Sequence, residues 1–133
     1  MAFYKMQHNS NYGGYFPAAV TVGKPVETEE VADELAALST VSRSDVNAVL
    51  GNLAQVLSKF MKTGKSVHVK GLGYFRYKLD TISVQSLEDF DFSKHVKAVR
   101  VRFEPEKEKT SDGKYKRELV GSDIEWIEMP SSS

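Results

Sequence analysis

A chain of 133 residues without a cysteine has no disulfide, no thiolate nucleophile and no cysteine-based zinc site available to it. A hydrophobic share of 41% and a charged share of 27% are ordinary for a soluble globular protein, and this length is enough to hold one core without staples. Net charge is zero, 18 basic residues against 18 acidic, so a polyanionic partner would have to be met by particular segments and not by the molecule as a whole.

In chain order, Met1 to Asn9 holds no apolar run of the kind a signal peptide uses. Nowhere do about 18 apolar residues follow one another, as a membrane-spanning helix requires. The expectation is a cytoplasmic protein with no membrane partner. Phe3 to Gln7 mixes aromatic and long residues in near alternation, and Asn9-Ser10-Asn11-Tyr12-Gly13-Gly14 is dense in turn formers. Tyr15 to Val22 follows, so two strands joined by a turn are expected, with Pro17 confining its strand to a sheet edge.

Gly23-Lys24-Pro25 breaks the chain, and Thr28 reads as an N-cap with Glu29 and Glu30 placed against the positive end of a short helix to about Leu38. Ser42-Arg43-Ser44-Asp45 resembles a capping box with Asp in place of the usual Glu or Gln. Val46, Val49, Leu50, Leu53, Leu57, Phe60 and Met61 then form one stripe at i, i+3, i+4 spacing, and Gly64 is the expected stop. Such a stripe reads as core or dimer interface, with Phe75, Tyr77 and Phe103 packed on it.

Ser66 to Lys70 and Tyr74 to Leu79 alternate around Gly71-Leu72-Gly73, which reads as a hairpin. Phe75, Tyr77 and Leu79 should point inward, and Tyr74, Arg76 and Lys78 outward. Asp80 to His95 is an acidic excursion of no evident structure. Ala98 to Phe103 is another strand, with Val99, Val101 and Phe103 opposite Ala98, Arg100 and Arg102. Glu106 to Lys116 is almost wholly polar; Ile124, Trp126, Ile127 and Met129 suggest a terminal strand, with Pro130 and the serines after it frayed.

The charge is unevenly spread along these elements. Residues 1–39 carry net −3, residues 40–79 net +6, residues 80–95 net −3, residues 96–105 net +2 and residues 106–133 net −2.

The run Ser39 to Val46, the amphipathic helix, Gly64-Lys65-Ser66-Val67 and Gly71-Leu72-Gly73-Tyr74-Phe75 together resemble the bacterial histone-like HU and integration host factor family. Leu72 stands where that family has an aromatic residue. Arg102-Phe103-Glu104-Pro105-Glu106-Lys107 is similar to the family's motif before its last helix. The likeness covers Thr28 to Lys107, about 80 of the 133 residues. With its added N-terminal strands, the pattern looks most like the longer HU-related proteins of the Bacteroides group.

The resemblance implies an α+β fold: two helices in the N-terminal half, an antiparallel sheet with a β-arm, and an intertwined dimer. It implies three parts, residues 1–27 as a strand extension, 28–107 as the DNA-binding domain and 108–133 as a C-terminal extension. It further implies a nucleoid-associated homodimer holding double-stranded DNA without sequence preference. Family members wedge an arm-tip proline between base steps, but Asp80 to His95 has none. Nor does Glu106 to Gly113 offer an apolar stripe for a terminal helix.

The DNA contacts expected on this basis are Arg76, Lys78, Arg100 and Arg102, with Lys70 and Lys97 beside them and Lys59, Lys62 and Lys65 in a second rank. The blander reading is that alternating charges only solvate the outer face of a half-buried sheet, and that the lysines complement a helix dipole. The buried set expected for core or dimer contact is Val46, Val49, Leu50, Leu53, Leu57, Phe60, Phe75 and Phe103. Tyr74 could stack on sugar or bases, although a wet surface tyrosine is the commoner case.

Gly64-Lys65-Ser66 fails as a phosphate loop because position 59 is Lys where the motif needs Gly. His8, His68 and His95 lack ligand partners at i+3 or i+4, and His68 reads as a plain surface residue. No catalytic context, metal, cofactor or small-molecule substrate is expected. The alternative function is an HU-fold protein-interaction or scaffold module, suited by the neutral total and the acidic arm segment.

Overall fold

The computed structural model describes residues 1–11, 13–116, 119–121 and 123–130. Tyr12, from the expected first turn, and the three terminal serines lie outside them. The chain divides into two compact units, Met1–Glu27 with Val120–Ser133, and Thr28–Leu119.

In the first unit, β1 (Ala2–Asn9) and β2 (Gly14–Val20) form the expected antiparallel hairpin, although β2 stops two residues short of Val22. The terminal apolar patch supplies β8 (Trp126–Glu128), which runs parallel to β1 with Ala2 opposite Trp126 and Tyr4 opposite Glu128. The Ala2 amide donates to Glu125 O and the Met129 amide to Tyr4 O, both at 2.8 Å, fastening the two ends of this strand pair. The order β2-β1-β8 leaves β2 at an edge, where the missing N–H of Pro17 breaks no ladder. One face of this sheet is a shallow apolar hollow lined by Tyr4, Met6, Pro17, Ala19 and Trp126.

The second unit begins with α1 (Thr28–Leu38), of which Thr28 is the first residue and not the cap. Ser42 caps α2 (Arg43–Met61): its hydroxyl accepts from the Asp45 amide at 3.2 Å. Arg43 ties the two helices, its Nη2 donating to Glu29 at 2.5 Å and its Nε to Asp33 at 2.6 Å. At the far end, the Gly64 amide donates to Met61 O with Gly64 at φ +87°, a left-handed stop that favours glycine.

The sheet of this unit has the order β3-β4-β5, all antiparallel, from β3 (Val67–Val69), β4 (Gly73–Thr81) and β5 (Val96–Pro105). The Leu72 amide closes the β3–β4 turn on Val69 O at 3.0 Å. Gly73 follows with φ +147°, and a Cβ there would lie 2.0 Å from the backbone oxygen of Glu104. Only glycine lets β5 approach this closely.

The acidic excursion is ordered. It consists of the end of β4, a single 3-10 turn at Leu87–Asp89 and a short helix α3 (Phe92–His95), and it is closed by the Ile82 amide donating to His95 O at 3.0 Å. Asp91 caps α3, accepting from the Ser93 amide at 3.0 Å and the Ser93 hydroxyl at 2.8 Å. The polar stretch after β5 forms a small hairpin, β6 (Glu108–Lys109) with β7 (Tyr115–Lys116), and not a helix.

The core of the single chain is smaller than the stripe on α2 predicts. Among the described residues only Ala32, Val46 and Met61 are buried apolar side chains. Leu50, Leu53, Leu57 and Phe75 are half-buried. Val49, Phe60 and Phe103, expected inside, are 64%, 46% and 40% exposed. The reason is geometric: among the described residues α2 packs against β3 and β4 and not along β5. Val99 and Val101 stay open with Phe103.

Candidate nucleic-acid interface

Alternation along β4 and β5 places every second residue on one face, and the register decides which of them meet. Phe75 lies opposite Phe103, Tyr77 opposite Val101 and Leu79 opposite Val99, forming the apolar face. The Phe75 and Phe103 rings are 4.9 Å apart between centroids, and Tyr77 shares a hydrogen bond of 3.2 Å with Ser58 of α2. On the other face Arg76 lies directly opposite Arg102, and Lys78 directly opposite Arg100. All four are exposed.

This arrangement runs against the usual rule for sheets. Directly opposed like charges destabilise a strand pair, whereas opposed unlike charges stabilise it by a few tenths of a kcal/mol. A face that only had to be wet would gain by alternating the signs across the pair. Here two successive rungs are cation against cation.

Two carboxylates bracket the cluster from its ends. Glu104 Oε1 lies 3.3 Å from Arg102 Nε and 3.9 Å from Arg76 Nη2. Asp80 Oδ2 accepts from Arg100 Nη2 at 3.2 Å and Nε at 3.4 Å. Among the described residues no carboxylate pairs with Lys78. The four cations are thus flanked by these two carboxylates, with a third, Glu106, held by His68 beside Tyr74. Glu104 and Asp80 share the alternation of the basic residues on their own strands, so continuing each i, i+2 series by one step finds them in the sequence.

The other expected contacts scatter. Lys70 lies in the β3–β4 turn and is exposed. Lys97 is exposed and falls at the irregularity between the pairs Asp80–Ala98 and Thr81–Val96, so it has no partner across the strand pair and is not part of the opposed rungs. Lys59 is in the last turn of α2, Lys62 is its C-cap, and Lys65 lies beyond it. Lys59 and Lys62 line one hollow on α2. Lys65 lines a different cleft together with Ser66, Arg76 and Tyr77, and is the one of the three that adjoins the basic face.

His68 is not a plain surface residue. Its ring stacks on Tyr74, with centroids 4.4 Å apart and planes 13° from parallel, and its Nε2 donates to Glu106 Oε2 at 2.5 Å. With one side of the Tyr74 ring covered by His68, only the other is left for stacking. The signal for this contact was not local, since the two partners of the hydrogen bond are 38 residues apart.

Asp91, Ser93 and His95 also come together. The Ser93 hydroxyl donates to Asp91, while His95 Nδ1 accepts from the Asp91 amide at 2.8 Å. That wiring closes a helix turn, with the His95 ring bonded to the Asp91 amide and not to Ser93. The hydrogen bonds from the Ser93 side chain and amide hold the Asp91 carboxyl below its ordinary pKa. The Thr110 hydroxyl and Lys114 amide do the same to Asp112 in the β6–β7 turn. Among the described residues no three histidine, aspartate or glutamate side chains converge in a way that could hold a metal ion. No helix among them is long and apolar enough to cross a membrane.

Two helices followed by an antiparallel three-stranded sheet make the second unit an α+β fold. The chain belongs to the HU-HIG family, described as an HU domain fused to wHTH, Ig, or glycine-rich motif, whose profile matches residues 2–118. The family likeness carried by Thr28 to Lys107 is thus borne out, and the match extends past it on both sides. Among solved structures, a candidate bacterial DNA-binding protein from Bacteroides vulgatus is similar in fold, with a TM-score of 0.56 at 15% identity over 77% of this chain. This chain spans 41% of the length of that protein. No curated protein matches the chain.

Proposed function

We propose that this chain is a DNA-binding module that grips duplex DNA through the outer face of β4 and β5 without reading its sequence. The observation that carries the reading is the pair of cation-on-cation rungs, Arg76 with Arg102 and Lys78 with Arg100. Sites that break a local rule at a cost in stability are where function is expected. A row of phosphates supplies the counter-charge that the sheet lacks, and such contacts carry affinity but no base information. Lys65 and Lys70 extend the footprint, with Lys59 and Lys62 further out.

The same reading makes the working unit a homodimer. Val49, Phe60, Val99, Val101 and Phe103 form apolar surface that a second copy would cover, and an HU-type fold does this by intertwining. The place of action on this reading is the bacterial cytoplasm, on the nucleoid, in an architectural role that involves no catalysis, cofactor or small substrate. Bending by a proline wedge is not part of it, since residues 80–95 contain no proline.

The test is fluorescence anisotropy with a labelled random-sequence duplex across a salt series. The intact protein is expected to bind at low salt and to weaken steeply as salt rises. Replacing Arg76, Lys78, Arg100 and Arg102 together by Ala should remove most of that binding and flatten the salt slope. Binding untouched by the four substitutions would exclude this face.

A second reading is favoured by Leu87, Phe90 and Phe92, which stand 94%, 51% and 60% exposed at the arm end among acidic neighbours. Under it the arm docks a protein, and the module is a scaffold. The same quadruple variant separates the two, because protein docking at the arm end would survive it.

A further inference from the structure

We infer that Glu104 and Asp80 are affinity-setting residues, built-in competitors that occupy the basic face until phosphate displaces them. The inference rests on the DNA-binding reading and concerns the same face.

The geometry places each carboxylate where a phosphate would have to go. Glu104 lies one rung beyond the Arg76–Arg102 pair, opposite Tyr74, and a single oxygen faces both guanidinium groups. Asp80 lies one rung beyond Lys78–Arg100, opposite Ala98, and takes both Nη2 and Nε of Arg100 on one oxygen. Three of the four cations are therefore engaged in the free protein, and Lys78 alone has no such partner among the described residues. Side chains on both sides of these pairs are roughly half exposed, with 53% for Arg76 and Glu104 and 43% for Asp80. Exposed pairs of this kind are weak, so they open readily. They also hold the guanidinium groups over the sheet, which offsets part of the repulsion between the opposed cations.

Binding on this basis is an exchange. Each arginine gives up a carboxylate as it takes a phosphate, and the released carboxylate stays beside the polyanion. Both effects lower affinity below what the four cations alone would give. The chain's zero net charge extends to its binding face in attenuated form, so its duplex affinity is tuned downward by two named residues.

The experiment compares the intact chain with Glu104→Gln plus Asp80→Asn, using the labelled duplex over a salt series, and circular dichroism to confirm that both proteins are folded. A second variant, Glu30→Gln plus Glu34→Gln on α1, makes the same change in net charge away from the face. The face variant is expected to bind about threefold to tenfold tighter at low salt, the gap closing as salt screens it. The α1 variant should bind as the intact chain does. Equal or weaker binding by the folded face variant overturns the inference while leaving the DNA reading in place. Equal tightening by the two variants overturns it too, because the effect would then belong to net charge. If neither the intact chain nor the face variant binds at low salt, the DNA reading itself fails.

Discussion

Gly73 shows how one residue can fix a sheet. Its positive φ and the 2.0 Å approach of a notional Cβ to Glu104 O mean that any side chain forces β5 away from β4. Gly73→Ala should cost at least about 2 kcal/mol in urea denaturation, among the larger effects of single substitutions. Gly71 has φ +88° but open space around it, so Gly71→Ala should cost only about 1–2 kcal/mol, the left-handed penalty alone. Asp91 gives a pH effect of definite sign. Its folded-state pKa is lowered by the Ser93 hydrogen bonds, so the cap's contribution is complete above the unfolded-state value and is lost as pH falls through the lowered one. Protection of the Ser93 amide, taken against its intrinsic exchange rate at each pH, should therefore fall only in that acid window, and Asp91→Ala should remove it at neutral pH as well. The alternation of Arg76 with Lys78 and of Arg100 with Arg102 was legible from the chain. Alternation also puts Lys97 in phase with Val99 and Val101, but the pairing irregularity at that residue was not legible, because it leaves no mark on composition or alternation.

At the scale of elements, α2 was readable because every local signal agreed: a cap at Ser42, a stripe of period 3.6, a glycine stop. The β4–β5 pair was half readable, since alternation gives each strand's faces but not which residues oppose. That missing register carries a trade-off. Arg102→Thr removes one cation from its rung with Arg76 and puts a good strand former in its place. The variant should be as stable as the parent within about 0.5 kcal/mol, yet bind duplex DNA more weakly. A large loss of stability would mean that the Arg102–Glu104 pair matters more to the fold than the repulsion it relieves. The stretch from Asp80 to His95 yielded nothing in advance because its order comes from single hydrogen bonds, Ile82 to His95 and Ser93 to Asp91, and from no period at all.

For the whole molecule the informative quantity is what stays uncovered. A helix with seven apolar positions on one stripe buries only two of them, Val46 and Met61, within its own chain. If a second copy supplies the cover, the melting temperature should rise with protein concentration, as it does for any assembly that binds only in the folded state. Val49 is the site to test. At 64% exposure it contributes little to the single chain, so Val49→Asp should sediment as a folded monomer whose melting temperature no longer depends on concentration. A parent chain that is monomeric at high concentration would remove the dimer from the proposal.

The residues alone determined α1 and α2, the strands β1 to β5 and β8, the faces of β4 and β5, the family likeness and the concentration of positive charge in the middle of the chain. Each of these is local or periodic, set by side-chain spacing and backbone preference over a few residues. The tertiary structure decided which cations oppose which, that Glu104 and Asp80 close on them, that His68 meets Glu106, and that the last strand pairs with the first. Those outcomes depend on register and on contacts between distant residues, where a shift of one position exchanges one face of a strand for the other.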